Sequence, residues 1–156
     1  MIDHPCQQKA VIQHSQRLIN SFQYWTKKPL ITIASSAKEQ ARSLFKASFV
    51  VVSHGAEADP IFNYGNAQAL KLWGFDWKTF TRLPSRRSAE PIEQTERDQL
   101  LSEAKTRGYI DNYQGIRISS TGQRFAIEDV ILWNVLDENH QRCGQAATFA
   151  DWNLID

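Results

Sequence analysis

The stretch that decides the fold is residues 109–136, YIDNYQGIRISSTGQRFAIEDVILWNVL. Its β-branched and aromatic residues lie on both sides of Ser120-Thr121-Gly122-Gln123, a segment of turn-forming residues. This pattern predicts two long strands, Tyr109 to Ser119 and Arg124 to Leu136, that pair antiparallel as a hairpin. An antiparallel sheet is therefore the expected centre of the molecule.

The loop of this hairpin sets its register. If Thr121-Gly122 forms a two-residue loop, Ile118 lies opposite Phe125 and Ile116 lies opposite Ile127, so that apolar side chains pair. A shift by one residue would lose this match. We therefore expect one sheet face to carry six apolar residues: Ile116, Ile118, Phe125, Ile127, Ile131 and Trp133. The other face is expected to carry Tyr113, Val130, Leu132 and Leu136, with Arg117 diagonal to Glu128 as a surface ion pair.

Three further strands are expected, at Phe49–Val52, Ile61–Tyr64 and Cys143–Ala150. After the second of them along the chain, Asn66 caps a short helix. Pro91 then opens a longer helix that Gly108 ends, and Arg97 on this helix is expected to pair with Glu93 at its surface. The predicted fold class is α+β, a five-stranded antiparallel sheet with a helical flank.

N-terminal helices precede this sheet. Asp3 is expected to cap the first, which has Pro5 in its first turn. Ser36 and Glu39 form a capping box for the second. We divide the chain into an N-terminal helix and connector, residues 1–35, and a main domain, residues 36–156.

The first helix carries an apolar stripe that must be buried on its own domain or on another chain. Its members are Val11, Leu18, Phe22 and Trp25. Because both faces of the sheet are expected to be apolar, this helix or that of a partner is the natural cover for the second face. We therefore hypothesise a homodimer formed through residues 5–26, with these four residues as interface candidates.

Composition limits the classes of partner. Lys and Arg number 18 and Asp and Glu number 17 in the 156 residues, for a net charge of +1. This balance does not suggest a nucleic-acid or anionic-membrane binder. Cys6 and Cys143 fit no metal-ligand spacing, and a disulfide is not expected in a reducing compartment. The sequence has no apolar leader and no membrane-length apolar run, so a soluble, cytoplasmic protein is expected.

Five segments resemble the MEKHLA domain family: Phe62–Asn66, Leu83–Pro91, Gly115–Gly122, Arg124–Asn134 and Gly144–Ala147. The resemblance covers residues from about 49 to 150 and implies a PAS-like fold. The family includes small stand-alone bacterial proteins and a C-terminal domain of plant homeodomain-leucine zipper regulators, where it is thought to modulate dimerisation. The DNA-binding parts of those regulators have no counterpart here, and the family offers no settled ligand or catalytic residues to carry over.

Candidate pocket residues come from the predicted sheet and its helical flank. The register places Asp129 opposite Gln114 within the apolar face, either as the polar anchor of a pocket or as a structural hydrogen-bonded pair. Trp73, Trp77 and Phe80 either line a pocket or fill the core. Arg86 either reads an anion or is an ordinary exposed arginine. The sheet adds Ile116, Ile131 and Trp133 to these candidates.

Catalytic and metal sites are not predicted. The four histidines share no metal-ligand spacing, and His54 and His140 are expected at solvent positions. Neither haem nor flavin is favoured, and the cofactor is left unspecified. The leading hypothesis is a PAS-like sensory or interaction module without an output domain, with a small-molecule ligand and changed self- or partner association. The alternatives are a dimerisation scaffold without a ligand, and a small enzyme that uses Asp129 in a cleft.

Overall fold

The hairpin of residues 109–136 lies at one end of a six-stranded antiparallel sheet with helices on both faces. The computed structural model describes residues 5–32 and 36–155. The strands are β1 (Val50–Gly55), β2 (Phe62–Gly65), β3 (Tyr109–Ile118), β4 (Arg124–Leu136), β5 (Arg142–Phe149) and β6 (Asp151–Ile155). The helices are α1 (Lys9–Thr26), α2 (Ala37–Phe45), α3 (Ala67–Trp73), α4 (Trp77–Phe80) and α5 (Pro91–Arg107), with short 3-10 helices at Pro5–Gln7 and Ser85–Ser88. The main strand order is β2-β1-β5-β4-β3.

The predicted α+β class with an antiparallel sheet is confirmed, and the sheet has one strand more than expected. Strand β6 follows β5 after a break at Ala150. β5 pairs with the second half of β4, from Ile131 onward, whereas β6 pairs with its first half, up to Glu128. Together β5 and β6 therefore follow β4 along most of its length.

The predicted register of the hairpin is wrong by one residue. The Ser119 N–H donates to the Gln123 carbonyl at 2.9 Å, so the loop has three residues rather than two. Phe125 consequently pairs with Arg117 rather than with Ile118. A three-residue hairpin loop needs a left-handed residue near its end, and Gly122 supplies it with φ of 84°.

A bulge in β4 changes which face its side chains occupy. Asp129 has φ of 53° and interrupts the alternation, so Val130 follows Ile127 onto the same face. The face toward α3 and α5 carries Phe125, Ile127, Val130 and Leu132, whereas the face toward α1 carries Ile131, Trp133 and Val135. The prediction that Ile116, Ile118, Phe125, Ile127, Ile131 and Trp133 share one face is therefore wrong, because it lacked both the register and the bulge.

The expected surface pair of Arg117 and Glu128 is also wrong. Arg117 is only 8% exposed and lies on the core face together with Tyr113, whereas Glu128 is exposed. Arg97 behaves similarly, because its guanidinium contacts Ser85 and Asp98 rather than the expected Glu93. Both arginines thus point inward from positions that the sequence assigns to the surface.

The boundaries of α3 and α5 and the start of α2 agree with the sequence, whereas α1 begins at Lys9 and the predicted first-turn Pro5 lies in a separate 3-10 helix. Asn66 caps α3 from a fully buried position, and its Oδ1 accepts hydrogen bonds from Ala69 N and Val51 N, both at 3.1 Å. Pro91 begins α5 and Gly108 ends it, as predicted. Ser36 Oγ accepts from Glu39 N at 3.2 Å at the start of α2. The predicted cap Asp3 lies outside the described residues.

Helix α1 packs on the sheet of its own chain. Val11, Leu18 and Phe22 are buried there, and the Phe22 ring meets the Trp133 indole edge-on at a centroid distance of 4.9 Å. Trp25 donates its Nε1–H to the Asn134 carbonyl at 2.8 Å. The four residues predicted as a dimer interface are therefore used within the chain, because the second apolar face of the sheet needs a cover.

Candidate functional site

A cavity of about 50 Å³ lies between the sheet and the flank formed by α3 and α5. By volume it has room for roughly four water molecules. Most of its wall is apolar, from Val52, Phe62, Leu101, Ile127, Val130, Leu132, Ala147 and Phe149. Polar side chains also contribute, from His54, Trp73, Ser88, Arg97, Tyr113, Arg117 and Gln145. An apolar wall with a few polar groups is typical of a ligand site.

Two arginines from different elements meet at this cavity. Arg97 on α5 is 6% exposed and donates to Ser85 Oγ at 2.7 Å and to Asp98 at 3.3 Å. Arg117 on β3 donates to the Tyr113 hydroxyl at 2.8 Å and to the Ile116 carbonyl at 2.9 Å. These hydrogen bonds hold both guanidinium groups in place. Each guanidinium has five N–H donors, so both retain capacity for a ligand.

Burial perturbs Arg97. Loss of hydration and repulsion from Arg117 lower the Arg97 pKa from 12.5 to about 10. The side chain is still charged at neutral pH. Its carboxylate partner, Asp98, is 68% exposed, so water screens much of that attraction. The cavity therefore has an excess of positive charge.

Two polar nitrogen atoms on cavity-lining residues lack a hydrogen-bond partner within the described chain. They are His54 Nε2 and Trp73 Nε1, and both are buried. His54 Nδ1 lies 2.9 Å from the Gly55 carbonyl and must donate to it, which leaves Nε2 as an acceptor. Burial lowers the His54 pKa to about 4, so the imidazole is neutral at physiological pH. Buried polar atoms without partners are rare in proteins, and each requires an explanation.

The structure brings only one predicted pocket residue, Trp73, to the cavity wall. Phe80 is fully buried nearby and stacks on Phe62 at 4.3 Å. Trp77, Ile131 and Trp133 belong to the apolar cluster on the α1 side of the sheet. Trp133 donates its Nε1–H to Ser21 of α1 at 3.2 Å.

The predicted polar anchors lie elsewhere. Asp129 and Gln114 are exposed, so their expected position within an apolar face is wrong. Asp129 occupies the β4 bulge, with φ of 53°. Arg86 is 47% exposed and pairs with Asp59 at 3.1 Å. Ile116 is half-buried on β3, an edge strand.

The arginine and imidazole groups of the cavity are not among the predicted pocket residues. The sequence predicts a surface ion pair for Arg97, the opposite sheet face for Arg117 and a solvent position for His54, although His54 is only 7% exposed. The hairpin register alone would have revealed Arg117, because it sets this residue opposite the buried Phe125. His140 is exposed in its turn, as expected.

The other face of β1 carries a second buried polar group. Ser53 lies between His14 of α1, whose Nε2 is 2.9 Å from Ser53 Oγ, and Asn63 of β2. Burial and the nearby Arg17 lower the His14 pKa to about 4. Strand β1 therefore lines the cavity with residues that include Val52 and His54, and contacts α1 through the Ser53 hydroxyl.

Across the described residues, no cluster of His, Cys, Asp and Glu could hold a metal ion. Within the same residues, no helix has both the length and the apolar character needed to span a membrane.

Comparison with solved structures identifies the fold as that of PAS and light-oxygen-voltage domains. A PAS domain of a protein from Colwellia psychrerythraea aligns with a TM-score of 0.60 at 18% identity, covering 71% of this chain and 92% of that one. The light-state dimer of the fungal blue-light photoreceptor Vivid aligns with a TM-score of 0.55 at 12% identity, covering 92% of this chain and 91% of that one. An RNA-binding light-oxygen-voltage receptor aligns with a TM-score of 0.64 at 15% identity, covering 84% of this chain and 36% of that one.

The PAS-like class has a narrower family within it. The family model of the MEKHLA domain matches residues 12–154, and the chain belongs to this family. The match includes most of α1, which agrees with the packing of that helix on the sheet. No match was found among curated proteins.

Proposed function

We propose that this chain is a non-catalytic sensory module that takes up a small ligand in the cavity between the sheet and α5. The proposal is carried by two buried nitrogen atoms, His54 Nε2 and Trp73 Nε1. Both belong to residues of the cavity wall, and both lack a hydrogen-bond partner among the described residues. A ligand with one acceptor and one donor would satisfy both atoms. Buried polar groups without partners are costly, so ligand binding would stabilise the fold.

The signal passes through β1 to α1. His54 faces the cavity, and the neighbouring Ser53 faces His14 on α1 at 2.9 Å. A ligand that shifts β1 thereby alters the docking of α1. The output is a changed association of the chain with itself or with a partner protein, since different packing of α1 exposes different surface. The Vivid structure, described as a light-state dimer, is a precedent for stimulus-dependent association on this fold.

Native mass spectrometry of the freshly purified full chain tests ligand binding. Ala147 lines the cavity, so Ala147→Leu fills it with additional carbon atoms. We expect a bound small molecule on the unmodified chain and its loss in Ala147→Leu. Ala56→Leu, at an exposed loop position, is the matched control and should retain the ligand.

Hydrogen exchange measured with and without the ligand tests the signalling route. We expect amides of β1 and α1 to change protection together. An apo mass for the unmodified chain, together with higher stability of Ala147→Leu, would instead indicate a scaffold with an unused packing defect and would overturn the proposal.

A further inference from the structure

The charges at the cavity do not balance. Arg97 and Arg117 approach from α5 and β3, and both are more than nine-tenths buried. The residues described along the cavity wall include no Asp or Glu. His54 adds no charge because it is neutral at physiological pH. Two buried cations without a buried anion are unfavourable, and an anion between them would offset much of this cost.

The size of the cavity limits the anion. A volume of about 50 Å³ matches roughly four to six non-hydrogen atoms. The apolar part of the wall includes Val52, Phe62 and Phe149. An inorganic anion would place charge against these side chains, whereas a short alkyl group would pack against them.

We infer that the cavity binds a short-chain monocarboxylate, with its carboxylate between Arg97 and Arg117 and its alkyl group against the apolar wall. This inference rests on the proposed function and specifies the acidic end of the ligand at the same site; a hydroxyl on the alkyl group would accept from Trp73 Nε1 and donate to His54 Nε2, and propionate is the probe for the acidic end alone. Guanidinium groups suit carboxylates because paired N–H donors match the two carboxylate oxygens. The arginines are positioned in advance by Ser85 and Tyr113, so little side-chain ordering remains to oppose binding.

Thermal unfolding of the full chain with propionate tests the inference, and propionamide is the neutral control of the same shape. The limit on affinity for such small ligands allows dissociation constants of about 10–100 µM. At about 100 times that concentration, propionate should raise the melting temperature by about 5–10 °C. Propionamide should have no effect, and nitrate and phosphate should have much smaller effects than propionate.

Arginine variants locate the binding site. Arg117→Gln retains a donor for the Tyr113 hydroxyl but removes the charge, and should weaken propionate binding about 10- to 100-fold in calorimetry. Arg87→Gln makes the same charge change at an exposed position and should leave the affinity unchanged. Without propionate, Arg117→Gln should melt at the same temperature as the unmodified chain or higher, because Arg97 loses a repulsive neighbour.

The outcomes separate this inference from the proposed function. If propionate has no effect but native mass spectrometry finds a neutral adduct that Ala147→Leu removes, the ligand is not a carboxylate and the proposed function stands. Equal effects of nitrate or phosphate would also overturn the carboxylate assignment. Equal loss of affinity in Arg87→Gln would mean nonspecific charge attraction. If no adduct and no ligand effect are found, both proposals fail.

Discussion

Replacement of Leu18 by alanine tests whether α1 is part of the fold or an interface for a second chain. Leu18 is fully buried in the cluster that joins α1 to β4. If this packing holds in solution, Leu18→Ala destabilises the isolated chain. If the stripe instead serves a dimer, the effect depends on protein concentration.

The magnitude follows from the three carbon atoms that are removed. Their transfer from the core to water costs about 2.4 kcal/mol at about 0.8 kcal/mol per carbon. The remaining cavity adds to this cost, because side chains as large as Phe22 and Trp133 cannot close it completely. We expect a loss of about 3 kcal/mol in the free energy of unfolding, and a melting temperature lower by about 6–12 °C.

Urea unfolding followed by tryptophan fluorescence measures this loss at several protein concentrations. Asn20→Ala, at an exposed position of α1, is the control and should change stability by no more than about 0.5 kcal/mol. A Leu18→Ala chain with unchanged stability at low concentration but weaker self-association would refute the packing of α1 on its own sheet.

Three further perturbations test other parts of the structure. The pKa values of His14 and His54 are both lowered from 6.5 to about 4, so the unfolded chain binds protons that the folded chain excludes. The free energy of unfolding should therefore fall as the pH decreases from about 6.5 to 4, by about 3 kcal/mol per histidine. Urea titrations across this pH range measure the loss. His54→Gln should remove about half of this acid sensitivity, whereas unchanged acid sensitivity would contradict its burial. Asn66→Ala leaves Val51 N and the carbonyls of Leu44 and Phe49 without their partner and should cost about 2–4 kcal/mol by the same assay; a loss below 1 kcal/mol would contradict the buried cap. Gly108→Ala should cost about 2 kcal/mol, because φ is 96° and the new Cβ would lie 2.4 Å from the Trp25 ring, and a neutral effect would exclude that contact.

Features of the fold that depend on neighbours in sequence were predictable. The start of α3 at Asn66, and both ends of α5, follow from caps that act within one helical turn. The α+β class follows from the change between helical and alternating patterns along the chain. Each of these signals is local, so a single sequence contains it completely.

The sheet faces were not predictable in the same way. A hairpin with Thr121-Gly122 at its tip accepts a two-residue or a three-residue loop, and pairing of apolar residues favoured the wrong one. The observed loop is fixed by distant contacts, since the Ser120 N–H donates to the Trp73 carbonyl and Ser120 Oγ donates to the Gly74 carbonyl, both at 2.8 Å. Contacts across 46 and 47 residues leave no trace in the local pattern.

The buried arginines were hidden for a related reason. On α5, Arg97 follows Glu93 by four residues, which is the spacing of an ordinary surface pair. Its burial depends on Ser85, a residue of the preceding 3-10 helix, and on the sheet beneath α5. The charge pattern within one helix therefore predicts an exposed side chain even where a cavity of the folded protein accepts that side chain.

The bulge at Asp129 links the fold to the site. Without it, continued alternation after Phe125 and Ile127 would direct Ile131 and Trp133 toward α5, which is the arrangement that the sequence pattern predicts. The extra residue turns Trp133 to the α1 side, where Ser21 accepts its indole N–H. Val130 and Leu132 then occupy the cavity wall in its place. By turning Trp133 toward α1, the bulge supplies part of the apolar surface on which α1 packs. Because Val130 and Leu132 are smaller than an indole, it also leaves space beside Arg97 and Arg117.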